Sequence, residues 1–180
     1  MEEEIIETNL LSRIRFRQNL DPKRPRVLLS RDEIQTILIH LKEYSPTFLY
    51  PFIYLKVHTG CRRGEAQKLE WEDIDCKTRL IRFRHTKNGS SRQIRISNRL
   101  SEFLSQHPKK SHYVFTDEKG FQIGRGKLQR RLISFKRAHP GAKDWRCHDL
   151  RHSFAYNFLK RGGEMYQLKA ILGHKTIQMT

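Results

Sequence analysis

The chain has few acidic residues, few cysteines and no long apolar run, and each shortage excludes a class of protein. It holds 19 Asp and Glu against 36 Lys and Arg, which leaves a formal charge of +17 on 180 residues. No apolar stretch approaches the ~18 residues that a membrane-spanning helix needs, and the three glutamates at residues 2–4 argue against a secretory signal. The three cysteines, Cys61, Cys76 and Cys147, have no paired spacing, so neither disulfides nor a cysteine zinc site are indicated, and a reducing cytoplasm fits best.

The excess of basic residues favours a polyanionic partner. A charge of this size attracts a phosphate backbone through release of condensed counterions, a contribution that is independent of base sequence and weakens with salt. The alternative is a generally basic, well-solvated surface. Because the sequence pI is near 10.2, nucleic acid is the favoured partner.

The length allows one domain with a short appendage. Residues 1–29 combine an acidic start with several basic residues and two prolines, Pro22 and Pro25, which disfavour helix. We expect an N-terminal tail or interdomain linker over 1–29, which either follows a DNA backbone or is a disordered tether, and a single domain over 30–180.

Periodicity predicts a mainly helical domain with one small sheet. Ser30 and Glu33 have capping-box spacing before apolar residues at helical intervals, which predicts a helix over about 30–44. A second helix, apolar on all faces, follows at 48–57. Alternating residues from Leu80 and again around Ile94 predict two strands joined by a turn at residues 87–90. A short third strand is expected at 113–115, and further helices at about 98–106, 126–137, 149–161 and 164–172. The predicted fold class is therefore α+β, mainly α with a small antiparallel three-stranded sheet.

Arg62 and Glu65 are the first candidates for a site. An arginine fork stabilises charge on the oxygens of a phosphodiester through directed hydrogen bonds, and Arg62 follows a break at residues 59–60. Glu65 lies one helical turn further on and is placed to hold a guanidinium, although spacing does not say which one. Taken alone, this spacing is weak evidence for a site, because such pairs are far more often exposed ion pairs on solvated helices.

His148 and Arg151 are three residues apart at the start of a predicted helix, where the helix dipole favours a phosphate. The alternative for His148 is a buried structural histidine. A zinc site built from Cys147, His148 and His152 is disfavoured, because no second ligand pair at a recognised spacing supports it.

Lys87 and His174 are ambiguous when each is taken alone. Lys87 is by default an exposed turn lysine, and its functional alternative is a general acid on a hairpin loop. His174 follows a glycine at a helix end, where it either caps the helix or donates a hydrogen bond to phosphate.

Together these motifs closely resemble the catalytic domain of the tyrosine recombinases, or phage-type integrases, over about residues 26–180. The ordered set that carries the resemblance is Arg62 with Glu65, Lys87, His148-x-x-Arg151 and Leu172-Gly173-His174, with residues 148–155 as the most specific match.

The resemblance implies roles for these residues in DNA recombination and integration. Arg62 and Arg151 would clamp the scissile phosphate, Lys87 would protonate the leaving 5′ oxygen, His148 would assist proton transfer and His174 would bind a phosphate oxygen. A tyrosine would attack DNA and form a 3′-phosphotyrosine, without metal or cofactor.

The sequence departs from the family pattern at the nucleophile. The tyrosine is expected about nine residues beyond His174, just past Thr180, and none stands there. Tyr156 and Tyr166 both precede His174, and Tyr156 is expected to have a core or helix-surface role. We therefore expect this fragment to bind double-stranded DNA but not to cleave it.

Two functional hypotheses remain open. One is the catalytic fragment of a recombinase from a phage or mobile element, and the other is a naturally shortened, catalytically silent DNA-binding regulator. A basic RNA-binding module is disfavoured, since no aromatic platform is evident. The resemblance further implies a tetramer of the intact protein on DNA, while the fragment is expected to be a monomer in solution, cytoplasmic and nucleoid-associated.

Overall fold

The computed structural model describes residues 26–44, 48–84, 91–141 and 143–173. Within these residues the chain forms seven α-helices, one 3-10 turn at Trp71–Asp73 and three strands. The elements in chain order are α1 (Arg31–Tyr44), α2 (Leu49–Thr59), α3 (Arg63–Gln67), β1 (Ile74–Asp75), β2 (Leu80–Phe83), β3 (Arg92–Arg95), α4 (Asn98–Ser105), α5 (Arg125–Ala138), α6 (Asp149–Lys160) and α7 (Met165–Leu172). The predicted fold class is confirmed.

Local sequence determines how the first two helices form. The Ser30 backbone N–H donates to Glu33 Oε2 at 2.7 Å and the Glu33 N–H donates to Ser30 Oγ at 3.2 Å, which closes the predicted capping box at the start of α1. Helix α2 is buried over most of its length, as its apolar composition predicts. No helix in the described part of the chain has the length and apolar character needed to cross a membrane.

The sheet is antiparallel in the order β1-β2-β3, with Ile74 opposite Ile81 and Ile81 opposite Ile94. The third strand is β1, and the prediction of a strand at 113–115 is wrong. Tyr113 forms only an isolated bridge to Glu70, because the backbone around it bonds to residues 69–71 and not to β2. The predicted turn at residues 87–90 lies outside the described residues.

Helix α6 packs against α2. It also contacts the residues that directly precede α1. Leu29 is fully buried; its N–H donates to Ser153 Oγ at 2.9 Å, and its carbonyl accepts from Asn157 Nδ2 at 3.0 Å. The described residues just before α1 therefore belong to the packed domain, although the sequence suggests a tail up to residue 29. This packing fixes α6, which carries Arg151 in its first turn and is preceded directly by His148.

Candidate functional site

A tight turn at the end of α2 presents Arg62. Gly60 ends the helix with φ of +63°, and a Cβ at this position would lie 2.6 Å from the ring of Phe154, so glycine is required there. Beneath the turn the buried Lys56 donates from Nζ to the carbonyl of Cys61 at 2.7 Å. Arg62 is also the N-cap residue of α3, so its backbone is held between the end of α2 and the start of α3.

Glu65 binds two arginines at once. Its carboxylate accepts from the Arg62 N–H at 2.7 Å and from Arg62 Nη1 at 3.0 Å. It also accepts a bidentate pair of hydrogen bonds from Arg92, each 2.8 Å long. Burial raises the pKa of Glu65, but the hydrogen bonds and charge of Arg92, followed by those of Arg62, outweigh burial and bring the pKa to about 2. The carboxylate is therefore ionised at neutral pH.

Arg151 lies in the first turn of α6 and points back to the turn that presents Arg62. Its Nη1 donates to the carbonyl of Gly60 at 2.8 Å and its Nη2 to the carbonyl of Leu172 at 2.6 Å. Burial, followed by the positive charge of Arg62, lowers the pKa of Arg151 to about 10. Arg151 thus stays protonated at neutral pH, close enough to Arg62 for the two charges to interact.

The last turn of α7 brings the arginines together. Three consecutive carbonyls, at residues 171–173, each accept a hydrogen bond from a different guanidinium. Arg92 donates to the first at 2.7 Å, Arg151 to the second at 2.6 Å and Arg62 to the third at 3.4 Å. Carbonyls at the end of a helix lack partners within the helix and carry the negative end of its dipole, so they suit cationic donors.

His148 is the residue just before α6, with its ring 4.7 Å from that of His152. Although His148 is partly exposed, desolvation by the surrounding protein, followed by the charges of His152, Lys56 and Arg151, lowers its pKa to about 4. A neutral imidazole at pH 7 can accept a proton on one nitrogen while donating from the other.

Of the six predicted site residues, the structure places four on neighbouring segments: Arg62, Glu65, His148 and Arg151. Lys87 and His174 lie outside the described residues. Among the residues that the structure does describe, no three His, Cys, Asp or Glu side chains are grouped to hold a metal ion. Tyr156 on α6 and Tyr166 on α7 are both exposed.

With this geometry established, comparison with known proteins identifies the family. The model of the phage integrase family matches residues 28–180. The chain belongs to the phage integrase family, whose catalytic domain is that of the tyrosine recombinases.

Curated relatives of this integrase-family chain are recombinases and integrases of bacteria, archaea and phages. It is 34% identical over 155 residues to tyrosine recombinase XerA of Saccharolobus solfataricus, which covers 84% of the chain and 50% of that protein. It is 33% identical over 135 residues to the shufflon-specific DNA recombinase of Escherichia coli, which covers 73% of the chain and 33% of that protein. The chain therefore spans half or less of the length of these two relatives.

Solved structures support the same fold. A XerA recombinase crystal structure matches with a TM-score of 0.75 and 24% identity, covering 89% of this chain and 61% of that one. The catalytic domain of bacteriophage HP1 integrase matches with a TM-score of 0.66 and 29% identity, covering 86% of this chain and 84% of that one. The described residues thus have the fold of an integrase catalytic domain.

Two buried cations of this integrase-family domain escaped the sequence analysis, Arg92 and Lys56. In each case the position of the residue in the sequence indicated a buried charge. Arg92 stands two residues before Ile94 in a strand, so it shares the inward face and needs a buried acidic partner. Lys56 stands among the apolar residues of the helix predicted at 48–57, where a buried charge also requires a partner.

Proposed function

We propose that the protein containing these 180 residues carries out site-specific DNA recombination by strand cleavage and rejoining through a 3′-phosphotyrosine. The observation that supports the proposal most directly is the convergence of Arg62 and Arg151 on adjacent carbonyls at the end of α7. Two guanidinium groups held at one point match the negative charge that develops on the non-bridging oxygens of a phosphodiester during displacement.

The proposed roles divide between binding and proton transfer. Arg62 and Arg151 bind the scissile phosphate, and His174 donates a further hydrogen bond to it. Lys87 protonates the departing 5′ oxygen, while His148, whose pKa near 4 keeps it neutral at pH 7, assists proton transfer. Glu65 orients Arg62 through its two hydrogen bonds to that residue.

Double-stranded DNA is the proposed partner. The formal charge of +17 favours a phosphate backbone, and relatives of similar fold have been solved as complexes with DNA, among them the Tn1549 transposon integrase at 20% identity. We expect affinity for a short duplex to fall steeply between about 50 and 200 mM salt, as release of counterions requires. Fluorescence anisotropy measures this dependence, and an affinity that does not change with salt would contradict the proposal.

The 180 residues are proposed to bind DNA without cleaving it. No tyrosine follows Tyr166 in the sequence, so residues 167–180 offer no phenolic nucleophile. On a nicked suicide substrate, which traps the covalent intermediate, we expect no adduct from these residues alone. A covalent protein–DNA band on a denaturing gel would refute this expectation.

The gene sequence beyond codon 180 distinguishes the enzyme from its alternative, a catalytically silent DNA-binding regulator. A tyrosine codon about three positions further on favours the enzyme, and its product should form the adduct. A stop codon there favours the regulator.

A longer protein that includes the tyrosine also allows a test of the proposed role of Lys87, in which the 5′ oxygen leaving group of the substrate is replaced by sulfur. A 5′-bridging sulfur leaves without protonation, because a thiol has a far lower pKa than an alcohol. We expect Lys87→Ala to abolish cleavage of the oxygen substrate and to retain cleavage of the sulfur substrate. Equal losses on both substrates would exclude Lys87 as the general acid.

The proposed assembly is a tetramer on DNA for the intact protein and a monomer in solution for these 180 residues, within the cytoplasm and on the nucleoid. Light scattering over a range of protein concentrations tests the monomer, and a dimer that persists on dilution would overturn it.

A further inference from the structure

We propose that Arg92 is a positioning residue of the phosphate site, which leaves the charge of Arg62 available to a phosphate. The inference rests on the proposed function, because it assigns a role in the same site. Arg92 is the first residue of β3 and was not among the residues that the sequence analysis selected.

All three nitrogens of the Arg92 guanidinium donate hydrogen bonds to the protein. It makes two hydrogen bonds of 2.8 Å to Glu65, donates from Nε to the carbonyl of Ile171 at 2.7 Å, and lies 4.7 Å from the centre of the Phe83 ring. Its side chain is 9% exposed, whereas that of Arg62 is 23% exposed. Arg62 is therefore the arginine that an incoming anion can reach, and Arg92 acts through its neighbours.

The charges explain why a second arginine is needed. Glu65 alone would neutralise Arg62, and the pair would then offer a phosphate no net charge. With Arg92 on the same carboxylate, two positive charges share one negative charge, and the group keeps a net charge of +1. Because Arg92 takes the bidentate position on Glu65, the carboxylate orients Arg62 without cancelling its charge.

Arg92 also joins α3 to the last turn of α7. It begins the strand that follows the segment of Lys87, contacts α3 through Glu65 and bonds to the last turn of α7 just before His174. A Cβ on Gly173 would lie 3.0 Å from Arg92 Cδ, so the two residues are already closely packed. Loss of Arg92 should therefore disturb the orientation of Arg62 and the end of α7 together.

The experiment compares Arg92→Gln and Arg92→Lys with Arg95→Gln, which removes the same charge from an exposed position of the same strand. The probe is inorganic sulfate, a tetrahedral anion whose charge is constant between about pH 5 and 8. Binding is followed through the Nε–Hε signals of Arg62 and Arg151 in NMR spectra, and folding through circular dichroism.

We expect wild-type protein to bind sulfate at Arg62 and Arg151, and Arg92→Gln to bind about tenfold more weakly or worse, since a charge-assisted hydrogen bond at Arg62 is misplaced. Arg92→Lys, which restores the charge without the planar fork, should recover part of the affinity. Arg95→Gln should change it less than about twofold, because its charge is exposed to solvent and screened.

A second readout is the pH dependence. In Arg92→Gln the pKa of Glu65 should rise, because burial is then opposed by Arg62 alone, and sulfate affinity should increase as pH falls toward about 5. A purely structural role would lower affinity equally at every pH. If Arg92→Gln does not fold, Arg92→Lys alone decides, and it must weaken binding and shift the pH profile in the same direction.

The outcomes separate the two proposals. Wild-type protein that binds no sulfate at Arg62 and Arg151 would overturn the phosphate site and the role of Arg92 with it. Wild-type binding that a folded Arg92 variant retains in full, with an unchanged pH profile, would overturn the role of Arg92 alone.

Discussion

Replacing Glu65 with glutamine tests the electrostatic organisation of the site. The Glu65 side chain is 1% exposed and accepts four hydrogen bonds from Arg62 and Arg92. Glutamine keeps the shape but loses the charge and turns one acceptor into a donor that faces guanidinium N–H groups. Because removal of one partner from a buried ion pair costs about 3–5 kcal/mol, we expect the free energy of unfolding to fall by that amount near pH 7.

The effect should depend on pH with a sign that follows from the pKa of Glu65. That pKa is about 2 in the folded protein against an ordinary value of 4.5, and the gap corresponds to about 3 kcal/mol. A carboxylate with a lowered pKa contributes this stability fully above its unfolded pKa and loses it as the pH falls toward the folded pKa. About 2 kcal/mol should already be lost near pH 3, so the difference between wild type and Glu65→Gln should shrink by that amount.

Urea unfolding followed by circular dichroism near pH 7 and near pH 3 measures both quantities. Glu43→Gln, which removes an exposed acid from α1, is the matched control and should change stability by less than about 0.5 kcal/mol at either pH. A Glu65→Gln deficit of the same size at both pH values would refute the electrostatic account and leave only a packing defect.

Three further substitutions and one titration test the residues that support the site. Gly60→Ala should lower the free energy of unfolding by about 2–4 kcal/mol, because alanine is strained in the left-handed backbone conformation and its Cβ would overlap an aromatic ring of α6. Gly64→Ala, whose Cβ has no neighbour within 4 Å, should be neutral or stabilising by up to about 1 kcal/mol in urea unfolding. The His148 ring should titrate near pH 4 by NMR, so its contribution to stability falls as pH decreases from 6.5 toward 4; a midpoint above 6 would contradict the lowered pKa. Ser153→Ala should cost about 1–3 kcal/mol in thermal or urea unfolding, because it leaves the N–H of Leu29 buried without its acceptor.

Most of the fold was predictable because its elements depend on local patterns. The capping box of Ser30 and Glu33 and the alternation around Leu80 and Ile94 are decided by nearby residues, and those elements are confirmed. The third strand was not predictable in this way. β1 has two residues and exists only because it pairs with β2, a tertiary contact that leaves no periodicity in the sequence.

The convergence of Arg62 and Arg151 could be expected from family resemblance but not from spacing, since 89 positions separate them in the sequence. Sequence reasoning left open which arginine Glu65 holds, and the structure shows that it holds Arg62 and Arg92. Arg92 was not selected from the sequence because arginines in strands are usually exposed to solvent. Its place on the inward face beside Ile94 was the available indication.

The concentration of positive charge at the end of α7 opposes stability and, in the proposed function, favours the binding of a phosphate. Arg62, Arg92 and Arg151 bring three positive charges against the single negative charge of Glu65, and burial together with Arg62 lowers the pKa of Arg151 to about 10. The carbonyls at the end of α7 offset part of the repulsion, as the negative end of a helix dipole does. The three guanidinium groups cannot move apart to reduce the remaining repulsion, because hydrogen bonds to carbonyls or to Glu65 hold each of them in place. In the proposed phosphate site an entering phosphate would relieve this repulsion, because the protein already holds the arginines in place and little reorganisation is needed to stabilise the added negative charge.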